Sequence, residues 1–247
     1  MHLITEKYTT AKNKLILLDY DGTLISYKAL PEKATPSEPL LYLLQKLSSK
    51  PNTKLALVSG RSSSSIDNLL PGQQFDIVAE HGAMLKHNNQ WSYLVKEETK
   101  WKETVSKVMS IFTALCPGSF IEEKQFGLAW HYRNCIEQDG IYFSRQLISE
   151  LKNPAAEFHL KVTDGKKVVE VNSIHINKGN AVQYFINTVS YDYILCIGDD
   201  RTDEDMFRVL FDNSNAYTIK VGEGDTLAKY KFRIVEDVII LLEQLST

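Results

Sequence analysis

The chain has few cysteines, no basic run and no long apolar stretch, and each shortage removes a class of protein. Cys116, Cys135 and Cys196 are three in 247 residues, an odd number without paired spacing. That composition speaks against a disulfide framework and for reduced thiols in a cytoplasmic protein. Cys196 lies within an apolar run, and none of the three is read as a nucleophile. Lys and Arg number 28 against 31 Asp and Glu, a formal net charge of −3. Without a basic cluster there is no electrostatic ground for expecting nucleic acid or an anionic membrane as partner. No segment approaches the roughly 20 apolar residues of a membrane span, and Met1–Tyr8 lacks the apolar centre and small-residue cleavage site of a leader. Internal repeats and low-complexity tracts are missing too.

What remains is an ordinary globular composition, 43% hydrophobic and 24% charged. The length suits one large domain or a domain carrying a smaller insert. Leu15-Ile16-Leu17-Leu18 has no polar alternation, as expected of a strand covered on both faces in a parallel sheet. It runs straight into Asp19 and Asp21. Leu55–Val58 repeats the pattern and ends at Ser59-Gly60-Arg61; Phe75–Ala79 ends at Glu80-His81-Gly82; Tyr193–Ile197 ends at Gly198-Asp199-Asp200. Helical stretches separate these runs, over Glu38–Leu47 and from Arg61 through Leu70 to a Pro71-Gly72 stop.

Between residues 96 and 173 the pattern changes. Trp101, Val105, Val108, Met109, Phe112 and Leu115 fall at helical spacing. Strands follow at Phe120–Lys124 and Leu128–Tyr132, then a helix over Gly140–Leu151. Two further strands, Phe158–Val162 and Lys167–Val171, flank Thr163-Asp164-Gly165-Lys166, a hairpin-turn signal. The expectation is an α/β fold: a Rossmann-like parallel-sheet core over 1–95 and 174–247, with an inserted α+β unit of αββαββ order over 96–173.

The ends of parallel strands are where ligands bind in such sheets. Here they offer Asp19, Asp21, Asp199, Asp200 and Asp203, with Ser59, Gly60, Arg61 and Lys178. Five carboxylates gathered in a low-dielectric crevice repel one another, and a hard divalent cation such as Mg²⁺ relieves that repulsion while leaving room for phosphate oxygens. The cation, a lysine and a serine hydroxyl suit a phosphoryl group. Residues two apart on an extended chain stand roughly 6–7 Å apart on one face, so Asp19 and Asp21 can flank a phosphate ester. Asp19 is placed to attack phosphorus in line, and Asp21 to protonate the leaving oxygen and then activate water. Gly22 lets the backbone turn sharply beside the phosphate.

"DYDGTL", "SGR", the lysine of "NKG" and "GDDRTDEDMF" resemble, in order and spacing, the four motifs of the haloacid dehalogenase-like phosphatases. With "AEHGAML", "IEEKQFGLAWHYR", "KKVVEV" and "INKGNAV", nearly the whole chain resembles the trehalose-6-phosphate phosphatase family. The resemblance implies Asp19 as nucleophile, Asp21 as acid/base, and Ser59, Gly60 and Lys178 as phosphate contacts. It implies Mg²⁺ held by Asp19, the Asp21 backbone carbonyl and Asp199, with Asp203 or Asp200 in support. It also implies an inserted cap that grips the sugar through Glu122, Lys124 and Glu170, with Arg133 a further candidate. One departure stands out: the family often reads "EVRP" where this chain has Glu170-Val171-Asn172-Ser173, so Asn172 replaces an arginine expected near the sugar. The opening "YTTAKNKLILLDYDGTL" resembles the junction with a synthase domain in two-domain relatives, implying fusion to or association with such a domain.

Three functions are therefore expected from the sequence: a Mg²⁺-dependent phosphatase of trehalose 6-phosphate, a related phosphatase of another sugar or polyol phosphate, or a non-catalytic sugar-phosphate-binding domain. The third has no chemical need for Asp19, Asp21, Lys178 and Asp199 together. A phospho-acceptor of response-regulator type shares the acidic pocket and lysine but needs no inserted unit. His81, His131 and His175 lack metal-ligand spacing and are read as structural, and Gly222-Glu223-Gly224 as a loop.

Overall fold

A strand buried on both faces must be hydrogen-bonded on both edges, and β1 meets that condition. The computed structural model describes residues 2–28 and 30–247. In chain order the first segment forms α1 (His2–Thr10), β1 (Lys14–Asp19), α2 (Glu38–Ser48), β2 (Thr53–Val58), α3 (Ser63–Leu69), β3 (Asp76–Ala79), β4 (Met84–His87) and β5 (Gln90–Tyr93). Then come α4 (Trp101–Leu115), β6 (Phe120–Glu123), β7 (Gly127–His131), α5 (Glu137–Glu150), α6 (Lys152–Glu157), β8 (Leu160–Gly165) and β9 (Val168–Ser173). The last segment forms α7 (Gly179–Thr188), β10 (Tyr193–Gly198), α8 (Glu204–Val209), β11 (Ala216–Val221), β12 (Tyr230–Phe232) and α9 (Val235–Ser246). The chain divides into two compact units, Met1–Val95 with Asn177–Thr247, and Lys96–Ile176.

The first unit is built on a sheet in the order β12-β11-β10-β1-β2-β3-β4-β5. β12 through β3 run parallel, and β4 and β5 add an antiparallel hairpin at one edge. From β1 the chain builds β2 and β3 outward on one side, and later β10, β11 and β12 on the other. The strand order therefore reverses between β1 and β10, and the carboxyl ends of those two strands form the crevice where ligands bind in open α/β sheets. Leu15, Leu17, Val58 and Cys196 join Ala181, Val182 and Phe185 of α7 and Met206 and Phe207 of α8 in one core cluster. α2 is capped by Ser37, whose hydroxyl accepts the Leu40 amide at 3.4 Å, and it buries Leu40, Leu43, Leu44 and Leu47 at three- and four-residue spacing.

The second unit is an antiparallel sheet in the order β6-β7-β9-β8. Trp101, Val105, Met109 and Phe112 of α4 and Leu147 of α5 pack on Leu128, Trp130, Val169 and Val171. Along β9 burial alternates, so Glu170 and Asn172 lie opposite the face that buries Val169 and Val171. The sequence places the β8–β9 turn at Thr163–Lys166, but Thr163, Asp164 and Gly165 belong to β8. The two-residue loop is Lys166-Lys167, with Gly165 opposite Val168 and Lys167 at φ 65°. Burial of Val169 and Val171 sets this register, because a one-residue slip turns both away from the core. Among the described residues no helix is long and apolar enough to cross a membrane, and all three cysteines are free thiols.

Candidate active site

The apolar run of β1 fixes Asp19 at its end, 4% exposed. Lys178, at the N-cap position of α7, donates from Nζ to Asp19 Oδ1 at 2.6 Å and to Asp203 Oδ1 at 2.8 Å. Asp203 Oδ2 accepts the backbone amides of Asp199 and Asp200 at 2.8 and 2.9 Å, so this carboxylate closes the loop after β10 and anchors the lysine at once. Asp200 Oδ1 accepts from the Thr202 amide and hydroxyl, both at 2.7 Å. One oxygen each from Asp19, Asp199 and Asp203 lies within 4.8 Å of the others.

Asp21 faces a different partner. The Arg61 guanidinium grips it with Nε on Oδ2 and Nη2 on Oδ1, each at 2.7 Å, a bidentate pair that fixes the direction of the carboxylate. Directly after Asp21, Gly22 adopts φ 91°, and a Cβ there would stand 2.2 Å from Asp199 Oδ2. Only glycine fits both the left-handed backbone and that approach. Ser59 directly follows β2 and is almost fully buried; its amide donates to the Val78 carbonyl at 2.9 Å and its hydroxyl accepts the Arg61 amide at 3.2 Å.

Burial pushes the Asp19 carboxyl well above the usual carboxylate range despite the opposing charge of Lys178. Burial, reinforced by Asp203 and Asp200, pushes Asp199 up to about 6. Burial also raises Asp203, against the pull of Lys178. Asp200 goes the other way: burial would raise it, but Lys178, the Thr202 hydrogen bonds and His81 outweigh that and bring it below its ordinary value. Lys178 loses solvation by burial, yet Asp19 and Asp203 hold its ammonium well above the ordinary lysine value. Asp19 Oδ2 is buried without a hydrogen-bond partner. An orphaned carboxylate oxygen beside two further carboxylates is a hard-oxygen donor set, and it fits a divalent cation of the Mg²⁺ kind.

Sequence reading gave no role at the site to four contributors. Tyr27 donates to Asp199 Oδ2 at 2.9 Å, and burial holds its phenol far above the ordinary tyrosine value, so it stays a donor. Thr23 reaches Asp199 Oδ1 at 3.5 Å. Lys220, buried in β11, donates to the Asp199 carbonyl; a lone lysine inside an apolar strand was the available signal. The fourth is the turn Glu80–Gly82 after β3, where Glu80 and His81 take φ 50° and 55°. Left-handed backbone at non-glycine residues costs roughly 1–2 kcal/mol each, and such strain gathers at functional sites.

The expected sugar contacts lie in the second unit, on β6, on the loop after it and on β9. Lys124 Nζ donates to Glu170 Oε1 at 2.7 Å, and Glu122 Oε2 lies 2.8 Å from His131 Nε2. The hydrogen bond from His131 holds the Glu122 carboxyl below its ordinary value, outweighing burial. Arg133 donates to the Lys166 carbonyl at 3.0 Å. Asn172 Oδ1 is buried without a partner.

A family model described as trehalose-phosphatase matches residues 17–233. The chain is 41% identical over 239 residues to the bifunctional trehalose-6-phosphate synthase/phosphatase of Thermoproteus tenax, covering 96% of this chain and 32% of that protein. It is 37% identical over 232 residues to the trehalose-phosphatase of Saccharomyces cerevisiae, covering 84% of this chain and 26% of that protein. The solved C-terminal domain of the C. albicans trehalose-6-phosphate phosphatase superposes with a TM-score of 0.91 at 29% identity, covering 99% of this chain and 96% of that one. The chain thus spans about a third or less of the length of the curated relatives it matches. With an acid-rich crevice at the reversal of its parallel sheet and a match running from Leu17 to Arg233, the chain belongs to the trehalose-phosphatase family.

Proposed function

We propose that this protein is a Mg²⁺-dependent phosphatase that hydrolyses trehalose 6-phosphate to trehalose and phosphate through an aspartyl-phosphate on Asp19. The observation that carries the reading is the buried, partnerless Asp19 Oδ2, one oxygen of a carboxylate whose other oxygen is fixed by Lys178. Asp19 attacks phosphorus through one carboxylate oxygen, and the bond from phosphorus to the sugar oxygen breaks. Asp21, aimed by Arg61, gives its proton to the leaving sugar oxygen and later takes one from the water that hydrolyses the intermediate. Ser59, Gly60 and Lys178 hold the phosphoryl oxygens. Mg²⁺, when bound by Asp19, Asp199 and the Asp21 carbonyl with Asp203 or Asp200 in support, supplies positive charge that offsets the crowding of anions.

The inserted unit is proposed to act as the cap, with Glu122, Lys124 and Glu170 contacting the sugar. Relatives named as joint synthase/phosphatases support work fused to, or beside, a synthase domain, and free thiols support a cytoplasmic setting. A second reading, another sugar phosphate as substrate, is favoured by Asn172, whose orphaned amide oxygen replaces the expected arginine.

The test is phosphate release from trehalose 6-phosphate and a panel of hexose and polyol phosphates, with Mg²⁺ and with chelator. The proposal expects Mg²⁺-dependent release with trehalose 6-phosphate leading the panel. A different leading sugar supports the second reading, and no release from any ester refutes both.

A further inference from the structure

We propose that the left-handed turn Glu80–His81–Gly82 is the brace of the phosphate-binding loop, and that His81 is its positioning residue. The proposal rests on the phosphatase reading and adds to it a residue that sequence reading took as merely structural. Three successive residues turn left-handed, at φ 50°, 55° and 102°. The turn closes on itself through the Ala83 amide donating to the Glu80 carbonyl at 3.2 Å. Its own amides reach back to the loop after β2: His81 N–H donates to the Ser59 carbonyl at 3.0 Å, and Glu80 N–H to the Arg61 carbonyl at 2.9 Å. The loop is thereby held on both sides of Gly60.

The His81 side chain completes the brace. A Cβ built on Gly60 would stand 2.3 Å from His81 Cε1 and 2.5 Å from Nε2, so the imidazole lies directly against the Gly60 backbone. Within the same turn, a Cβ on Gly82 would stand 2.3 Å from the carbonyl oxygen of Asn177, the residue before Lys178. One strained turn thus touches the backbone of both phosphate-contacting segments, Ser59–Arg61 and the start of α7. A right-handed or extended path after β3 would aim these amides and the ring elsewhere. The left-handed conformation is retained because the spacing of the two segments depends on it.

The experiment measures inorganic phosphate binding in the presence of Mg²⁺ by calorimetry, with thermal melts alongside, for the wild type, His81→Asn, Gly60→Ala and the double variant. Asparagine tolerates left-handed backbone, so His81→Asn removes the ring and keeps the turn. The expected result is roughly tenfold weaker phosphate binding with little change in Tm, since small misplacement of a binding group is costly. Gly60→Ala, whose methyl meets the ring, loses affinity, and adding His81→Asn recovers part of that loss, a non-additivity that marks direct contact. Wild-type affinity in His81→Asn, or losses that simply add, overturns the proposal. Should His81→Asn not fold, His81→Gly takes its place, since glycine also accepts left-handed backbone: wild-type phosphate affinity overturns the proposal, and weakened binding in a folded protein supports it. Failure of the wild type to bind phosphate overturns the phosphatase reading itself, and the brace with it.

Discussion

Lys178 Nζ donates to Asp19 Oδ1 over 2.6 Å across 159 residues of sequence, with the two side chains only 3% and 5% exposed. Removing one partner of a buried ion pair strands the other charge. Lys178→Met is therefore expected to cost about 3–5 kcal/mol of stability, read as a lower urea midpoint, and to abolish phosphate release. A midpoint equal to wild type contradicts the pairing.

Asp19→Asn removes the charge of the proposed nucleophile at nearly constant size, and Lys178 keeps Asp203 as a partner. The variant should fold, by circular dichroism, and release no phosphate. Asp21→Asn should fold too, with slowed turnover and a bidentate partner lost from Arg61. Appreciable turnover by folded Asp19→Asn would dismiss Asp19 as the nucleophile.

The carboxyl of Asp199 is held at about 6 by burial, against an ordinary 3.8. The folded state keeps a proton that the unfolded chain has already lost, so this group's stabilisation is complete below about pH 3.8 and disappears as pH rises through about 6. In chelator, Tm should therefore fall over that window, and Asp199→Asn should flatten the slope. Added Mg²⁺ binds the ionised carboxylates, so its stabilisation should grow as pH rises. An Asp199→Asn slope as steep as wild type defeats the assignment.

Lys124 and Glu170 satisfy each other at 2.7 Å, with 10% and 21% of their side chains exposed. If they also grip the sugar, Lys124→Ala or Glu170→Ala should cost on the order of 1.5–3 kcal/mol per lost charged hydrogen bond. That corresponds to roughly a tenfold to hundredfold fall in kcat/KM for trehalose 6-phosphate. A small aryl phosphate should be hydrolysed nearly as before. An unchanged ratio of efficiencies for the two esters removes these residues from sugar recognition.

The parallel core was legible because its physics is one-dimensional: a strand buried on both faces must be apolar throughout, so β1, β2 and β10 stand out as runs that end in polar residues. The β4–β5 hairpin was not, since its strands are four residues each and Lys86, His87, Gln90 and Ser92 leave no clean alternation. Its turn residues Asn88 and Asn89, both left-handed, carried the weak signal. α1, β11, β12 and α9 also escaped reading; α1 has buried only Ile4 and Tyr8, too few for a periodic stripe. Asp19, Lys178, Asp199 and Asp203 were readable as a group from their places at element ends. The grip of Arg61 on Asp21 and of Tyr27 on Asp199 was not, because side-chain partners 40 and 172 residues apart are chosen by the fold.

The pairing of β1 with β10 has a consequence for how the molecule is born. β1 precedes the second unit in the chain, yet its partner on one edge, Tyr193–Ile197, is synthesised only after that whole unit. Until then Leu15–Leu18 can pair with β2 alone, leaving an apolar strand edge open to strands of other chains. Contacts so distant in sequence form slowly, since a long loop must close before they contribute. The nascent chain therefore keeps that edge open until β10 arrives, and the strand that seals the sheet is the same one that carries Asp199 and Asp200 to the crevice.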